Sequence, residues 1–339
     1  MRRETIDPRP DYRRGIDYAA GMLPEFIRPR QVSLAPSHQR AAALELVFEW
    51  ESLSQRQLRV ASLLEAAVRR PDMWDHLLVA HDGERLRGAA WGQILPGRVA
   101  NVWPPGLATG EREDTADALQ SQLDEQLVVA QMTCLQALLP TQATRAVARL
   151  LKHGYQLAAE LAFLLCGSAD FPTSRPDSPV EFLACRPCDR SRLVELVDET
   201  YVDTRDAPAL NGVRPTSLVI EGYQHSGTYV PDWWLIARHG DHDVGCLLLT
   251  DHPQLHQVEL IYMGLIPDAR GAGFGIALVR QALWIARCAQ REAMWTAVDA
   301  ANEPALRSYA RCGFRQFDHR LAFFKRTSST AARDAASGD

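Results

Sequence analysis

The sequence predicts an α+β protein made of two copies of one unit. Three observations carry that expectation. A length of 339 residues suits two domains that each bury a core. Short apolar runs joined by turn residues read as hairpins, with stretches of helical apolar spacing between them. The chain also repeats itself. Ala143-Thr-Arg-Ala146-x-x-x-Leu150-x-x-x-Gly154-Tyr155 aligns with Asn302-Glu-Pro-Ala305-x-x-x-Tyr309-x-x-x-Gly313-Phe314, and Leu161-Ala162-Phe163 with Leu321-Ala322-Phe323, at an offset of 159–160 residues. A repeat this long indicates duplicated domains, not a solenoid.

The elements follow in order. Residues 1–30 mix seven arginines with five acidic residues, unlike a transit or signal peptide, and are expected to form a surface arm. The first copy spans 31–168. Helical patterns over 33–50 and 56–70 precede strands at 77–80 and 86–95, a hairpin turning at His81–Glu84. Val99–Val102 reads as a third strand, which Trp103-Pro-Pro-Gly106 is expected to break. A helix over 114–129, a strand over 132–138, a helix over 141–152 and a strand over 161–166 complete this copy. Residues 169–179 are rich in Pro, Ser and Asp, a linker composition.

The second copy spans 180–327. It reads as a strand from Phe182, helices over 189–201 and 217–224, and a hairpin of 233–238 with 244–250. Then come a strand over 257–267, a helix over 276–286, a strand over 294–298, a helix over 303–311 and a strand over 321–325. The tail 328–339 has a disordered composition.

Composition narrows the function. Hydrophobic residues are 46% and charged residues 23% of the chain, as in ordinary globular proteins, and the net charge is −5. Neither a nucleic acid nor a membrane is expected as partner. Seven scattered cysteines argue against a disulfide framework, and a cytoplasmic location is the expectation. Cys185 and Cys188 form a lone CxxC, and the pairs His239/His242 and His252/His256 fall in polar loops, so no metal is expected.

The most informative stretch is Arg270-Gly271-Ala272-Gly273-Phe274-Gly275 between a strand and a helix. Such a loop stacks backbone amides at a helix N-terminus and suits a phosphate. A dinucleotide fingerprint is a poor fit. The glycines fall as Gly-x-Gly-x-Gly, and Pro267–Arg270 separate the strand from the first of them. A Walker loop is excluded because no Gly-Lys-Ser/Thr follows.

Together with the Asn302–Phe314 block, the loop resembles the GNAT superfamily of acyl-CoA-dependent N-acyltransferases. The resemblance covers 180–326 and extends through the repeat to 33–166. It implies two tandem GNAT-like domains, each a mixed, mostly antiparallel sheet flanked by helices, similar to mycothiol synthase and related two-domain acetyltransferases. It implies acetyl-CoA as acyl donor. Residues 271–276, with the side of Arg270, would face the pyrophosphate, and Met263, Gly264 and Leu265 would pair with the pantetheine arm. Asn302 would bind pantetheine or cap the next helix. Glu259, eleven residues before Arg270, holds the position of the general base in some members, and Tyr309 matches the thiolate donor. The first copy departs from the pattern. Leu150 and Ala143 replace Tyr309 and Asn302, and Glu111, Glu113 and Asp114 stand where a diphosphate would bind.

The expected reaction is direct acetyl transfer to a small primary amine by the second copy. An acyl-CoA sensor and a protein lysine or N-terminal acetyltransferase are the alternatives. The expected acceptor region comprises Tyr201, Asp203, Asp206 and Asn211, with Glu221, Tyr229, Trp233 and Trp234. Its carboxylates suit a cationic amine.

Overall fold

The computed structural model describes residues 30–327. The expectations for the N-terminal arm and the tail, on 1–29 and 328–339, lie outside the described residues. The first copy folds as β1 (Gln31–Leu34), α1 (Arg40–Val47), α2 (Leu53–Ala66), β2 (Leu77–Asp82), β3 (Arg85–Leu95), β4 (Val99–Leu107), α3 (Glu113–Val129), β5 (Cys134–Pro140), α4 (Thr144–Lys152) and β6 (Gln156–Gly167). The second repeats that order as β7 (Glu181–Ala184), α5 (Arg190–Tyr201), α6 (Thr216–Gln224), β8 (Thr228–His239), β9 (His242–His252), β10 (Gln257–Leu265), α7 (Phe274–Cys288), β11 (Ala293–Asp299), α8 (Glu303–Arg311) and β12 (Arg315–Arg326).

Local chemistry sets several of these boundaries. The β2–β3 and β8–β9 turns pass through Gly83 and Gly240, both at φ +58°, where other residues are strained. Asn302 caps α8 by accepting the Ala305 amide at 3.3 Å, and Pro304 occupies the first turn.

Among the described residues twelve strands join one sheet in the order β1-β2-β3-β4-β5-β12-β6-β11-β10-β9-β8-β7. The final strands are exchanged. β12 pairs with β5 of the first copy, β6 pairs with β11 of the second, and β6 and β12 pair antiparallel at the centre. Phe323 of β12 is buried with Leu119, Leu123 and Leu135 of the first copy. Ala162, Leu164 and Cys166 of β6 are buried with Met294 and Val298 of the second. Burying one such Leu or Phe contributes about 1.5–3 kcal/mol, so each core relies on the other copy's strand.

Each half contains one parallel pair that parts early. β4 and β5 pair over Val99–Asn101 with Cys134–Gln136, and β10 and β11 over Gln257–Glu259 with Ala293–Trp295. Beyond those rungs the ladder ends, leaving a V. The strand break expected at Trp103–Gly106 is absent, since β4 continues to Leu107. Pro104 and Pro105 lie past the last rung with β5, and a register shift skips them on the β3 side, so no ladder bond is lost.

The second half is layered. α7 packs over Val258, Leu260, Met294 and Val298 on one face. α5 and α6 cover Trp234, Ile236, Cys246 and Leu248 on the other.

Candidate active site

The V of the second half opens into a cleft of about 570 Å³. Met263, Gly264 and Leu265 line one wall, Thr296–Val298 of β11 the other, and the glycine loop and α8 close the end. Past Glu259 the β10 edge facing β11 has no ladder partner; Thr296 takes the Leu260 carbonyl and Arg270 the Leu265 carbonyl, and the edge between them is open to an extended ligand. Gly264 is needed for space, because a Cβ there would meet Thr200 Oγ1 at 2.6 Å and Tyr262 Oη at 2.8 Å.

The loop presents alternate residues to the cleft. Gly271, Gly273 and Gly275 line it. Gly271 and Gly273 have φ of +82° and +84°, and a Cβ on either would meet nothing within 4 Å. Glycine is therefore required by conformation there, and the space in front is open. Ala272 borders a different groove, and Phe274 is buried against the His239 ring at 5.0 Å. Their side chains are turned away from the cleft, leaving only their backbone to serve it. The Phe274 and Gly275 amides of α7 have no intrahelical acceptor and sit at the positive end of its dipole, while Ile276 donates to the Gly273 carbonyl at 3.2 Å.

Arg270 has a structural task besides the expected one. Its guanidinium donates to the carbonyls of Thr200, Val202, Asp203 and Leu265 at 3.0, 2.7, 3.0 and 3.1 Å. It braces the loop, and it also lines the cleft beside Gly271 and Gly273. The physical reason is that the last carbonyls of α5 lack helical partners and carry the negative end of its dipole.

Tyr309 is buried and lines the cleft. Burial, with the Asp206 charge next in size, pushes its phenol well above the ordinary value, so it stays a protonated donor. Thr296 lies within hydrogen-bonding reach of it and also donates to the Leu260 carbonyl at 2.9 Å. Asn302 lines the same cleft while capping α8.

Glu259 stands on the last β10–β11 rung, opposite Trp295. Its Oε2 is 3.0 Å from His252 Nε2 and accepts from Ser226 Oγ at 3.3 Å. It sits at the closed end of the V, one residue before the cleft wall begins at Leu260.

The expected acceptor residues divide. Asp203 and Asp206 line the cleft. Asp206 is exposed over its residue surface, yet its carboxyl has dense surroundings that raise its pKa, chiefly by burial, with the Asp299 charge adding and hydrogen bonds opposing. It accepts from the Asp299 amide at 2.9 Å, while Asp299 accepts from the Ala207 amide at 3.0 Å, which ties this loop to β11. Tyr201 instead joins Tyr223 and Tyr262 in an aromatic cluster beneath α5 and α6, with centroids 5.8 Å apart about Tyr262. Burial pushes its phenol up to about 12. Asn211 donates to the Tyr201 carbonyl at 3.2 Å and holds its loop. Trp234 is a core residue, buried and donating to the Leu249 carbonyl at 3.0 Å. The alternation of β8 turns it under α5, so it does not touch the cleft.

Sequence reasoning missed Ser226, Thr296, the cleft arginines Arg307 and Arg311, and the contact with Glu259 of His252, which it weighed only as one of a histidine pair. The two arginines had a signal, four residues apart on one face of a short helix. His252 had none, because a hairpin bend brings it to Glu259. Among the described residues no group of three or more His, Cys, Asp or Glu is placed to hold a metal, and no helix is long and apolar enough to cross a membrane.

Residues 194–314, from α5 through α8, match the model of the Acetyltransferase (GNAT) family. The chain carries a GNAT acetyltransferase domain. No curated protein matches it. Among solved structures it is similar to a GCN5-related N-acetyltransferase from Sphaerobacter thermophilus, with 16% identity, a TM-score of 0.58, and coverage of 88% of this chain and 95% of that one. It is also similar to a GCN5-related glucosamine N-acetyltransferase region of a fungal multi-domain GH3 β-N-acetylglucosaminidase, with 15% identity, a TM-score of 0.57, and coverage of 88% of this chain and 38% of that one. At these identities the likeness is one of fold. The matched GNAT span contains the glycine loop, Glu259 and Tyr309.

Proposed function

We propose that the second half is an acetyl-CoA-dependent N-acetyltransferase acting by direct transfer on a primary amine. The observation that carries this reading is the single cleft that joins a free β10 edge, an open glycine loop at the α7 N-terminus and a protonated, buried Tyr309. The residues fit the donor. The backbone at Gly271 and Gly273 leaves room for a diphosphate, and the unpaired β10 edge at Met263–Leu265 matches the amides of a pantetheine arm. Arg307 and Arg311 add positive charge to the cleft wall.

Acetyl-CoA supplies the acyl thioester; this chain's residues handle protons and charge. Glu259 accepts the ammonium proton of the incoming amine, directly or through a water. His252 and Ser226 hold its carboxylate in place. An amide on the open β10 edge stabilises charge building on the carbonyl oxygen. As the C–N bond forms and the C–S bond breaks, the Tyr309 hydroxyl protonates the departing sulfur. The acylated nitrogen passes its second proton through solvent to the Tyr309 phenolate, and Glu259 returns its own proton to solvent, so the products are the amide, the free thiol and one proton.

The first half is proposed not to catalyse. Its last parallel rung is Asn101 and Gln136, whose side chains hydrogen-bond each other at 2.7 Å. Glu111 pairs with Arg30 and Arg87, and Glu113 with Arg149, where the second half has its open loop. The test is thiol release from acetyl-CoA over a panel of amines. Turnover by the wild type and its loss in Tyr309→Phe are expected. No thiol release with any amine would overturn the reading.

A further inference from the structure

The strand exchange has a chemical consequence on the sheet face that carries Glu259. β11 places Trp295 beside Glu259. β6, which belongs in sequence to the first half, places Phe163 next, with its ring 6.3 Å from Trp295 and within 17° of parallel. β12 adds Phe317 at 6.2 Å from Phe163, edge-on. His252 closes the near end, 6.1 Å from Trp295. The row thus runs from a carboxylate across three aromatic rings on three successive strands.

This row is not core. Phe317 is 59% exposed, and Trp295 and Phe163 are only partly buried. Leu165 beside them is 36% exposed. A contiguous, partly exposed aromatic strip next to the proposed base has the character of a binding surface. Its chemistry is that of an amine with an aromatic body. Glu259 attracts the ammonium, and the Trp295 face adds cation–π attraction. Neighbouring strands are about 4.8 Å apart. A ring resting on Trp295 or Phe163 therefore lies about 5–10 Å from Glu259, the reach of an amine two or three carbons from its ring.

Building on the proposed acetyltransferase activity, we infer that Trp295, Phe163 and Phe317 form the acceptor subsite and select arylalkylamines over polar or purely aliphatic amines. Phe163 is the specificity-determining contribution of the first half, which reaches the site only because β6 is exchanged. On this account the first half is retained for the strand it lends.

Two measurements test this. Thiol release is compared for phenethylamine, tryptamine, putrescine and glucosamine, with wild type and Phe163→Ala. The expected result is a kcat/KM for the two arylalkylamines at least tenfold above the others. In Phe163→Ala that preference falls about tenfold through KM, while the KM for acetyl-CoA is unchanged. Phe163→Leu, which keeps an apolar strand residue, should fall in between and guards against simple misfolding. Equal or better turnover of putrescine or glucosamine overturns the inference, as does an equal loss for all amines in Phe163→Ala. Binding is read separately. Phenethylamine should change the tryptophan fluorescence of the wild type, and Trp295→Phe should abolish the change. Binding without turnover would defeat the acetyltransferase reading and leave the subsite standing. Turnover without this binding would do the reverse.

Discussion

Glu259 lies opposite Trp295 on the last paired rung of β10 and β11. Directly beyond that rung the strands part and the cleft begins. The corresponding rung of the first half is Asn101 opposite Gln136, two amides bonded to each other. One half therefore keeps a carboxylate at the closed end of its V, and the other fills that position with a neutral pair. The assignments of chemistry to the second half follow from this difference.

Glu259→Gln should lower kcat about 10²–10⁴-fold at neutral pH, the usual weight of a general base. The deficit should shrink toward pH 10, because an alkylamine with a pKa near 10.4 then supplies its own neutral form. Rate–pH profiles of the two proteins check this. Parallel profiles over the whole range would remove Glu259 as the proton acceptor.

Tyr309 makes a second pH statement. Burial raises its phenol pKa, so the donor form persists above the ordinary phenol range near 10. The wild-type kcat should show no alkaline decline from Tyr309 up to pH 10. A wild-type kcat that declines with an apparent pKa near the ordinary phenol value of about 10 would contradict the assignment.

Arg270→Met should destabilise the fold by about 1 kcal/mol, since its bonds reach four carbonyls but the residue is largely solvent-exposed. The KM for acetyl-CoA should rise along with that loss, because the Asp203 turn and the glycine loop are held together by the same guanidinium. Thermal unfolding and steady-state kinetics read the two effects. An unchanged melting temperature would show that the bracing is dispensable.

In the first half, the Arg149 guanidinium holds the Glu113 carboxyl below its ordinary range. A carboxylate with a depressed folded-state pKa adds stability above its unfolded value, near 4.3, and loses it as pH falls through the folded value. The wild type should therefore lose stability below about pH 4 more steeply than Arg149→Met. Denaturant unfolding at pH 3–7 measures this. Parallel acid limbs would show that the pair is not coupled to folding.

Much of this was legible in the sequence. The duplicated element order, the glycine loop and the Asn302–Phe314 block are local patterns, and local patterns survive in a string of residues. The strand exchange was not, because the 159–160-residue offset is the same whether the last strands stay home or cross over. For that reason Phe163 read only as part of the first copy's last strand. The Glu259–His252 contact was hidden by a bend at Pro253–Leu255 between the paired strands. Trp233 and Trp234 differ only in the face each takes on β8, a one-residue phase that an apolar run does not fix. The bracing role of Arg270 was hidden because three of its acceptors, the carbonyls of Thr200, Val202 and Asp203, are 67–70 residues away.

The most direct test is a calorimetric titration of acetyl-CoA into the wild type, Gly273→Ala and Arg149→Met. The φ of +84° at Gly273 makes any side chain there strained by about 1–2 kcal/mol, and relief of that strain would move the loop amides. The expected result is one acetyl-CoA per chain, bound about tenfold more weakly by Gly273→Ala and unaltered in Arg149→Met. Two equivalents per chain, or an affinity indifferent to Gly273→Ala, would contradict a single acyl-CoA site at the glycine loop of the second half.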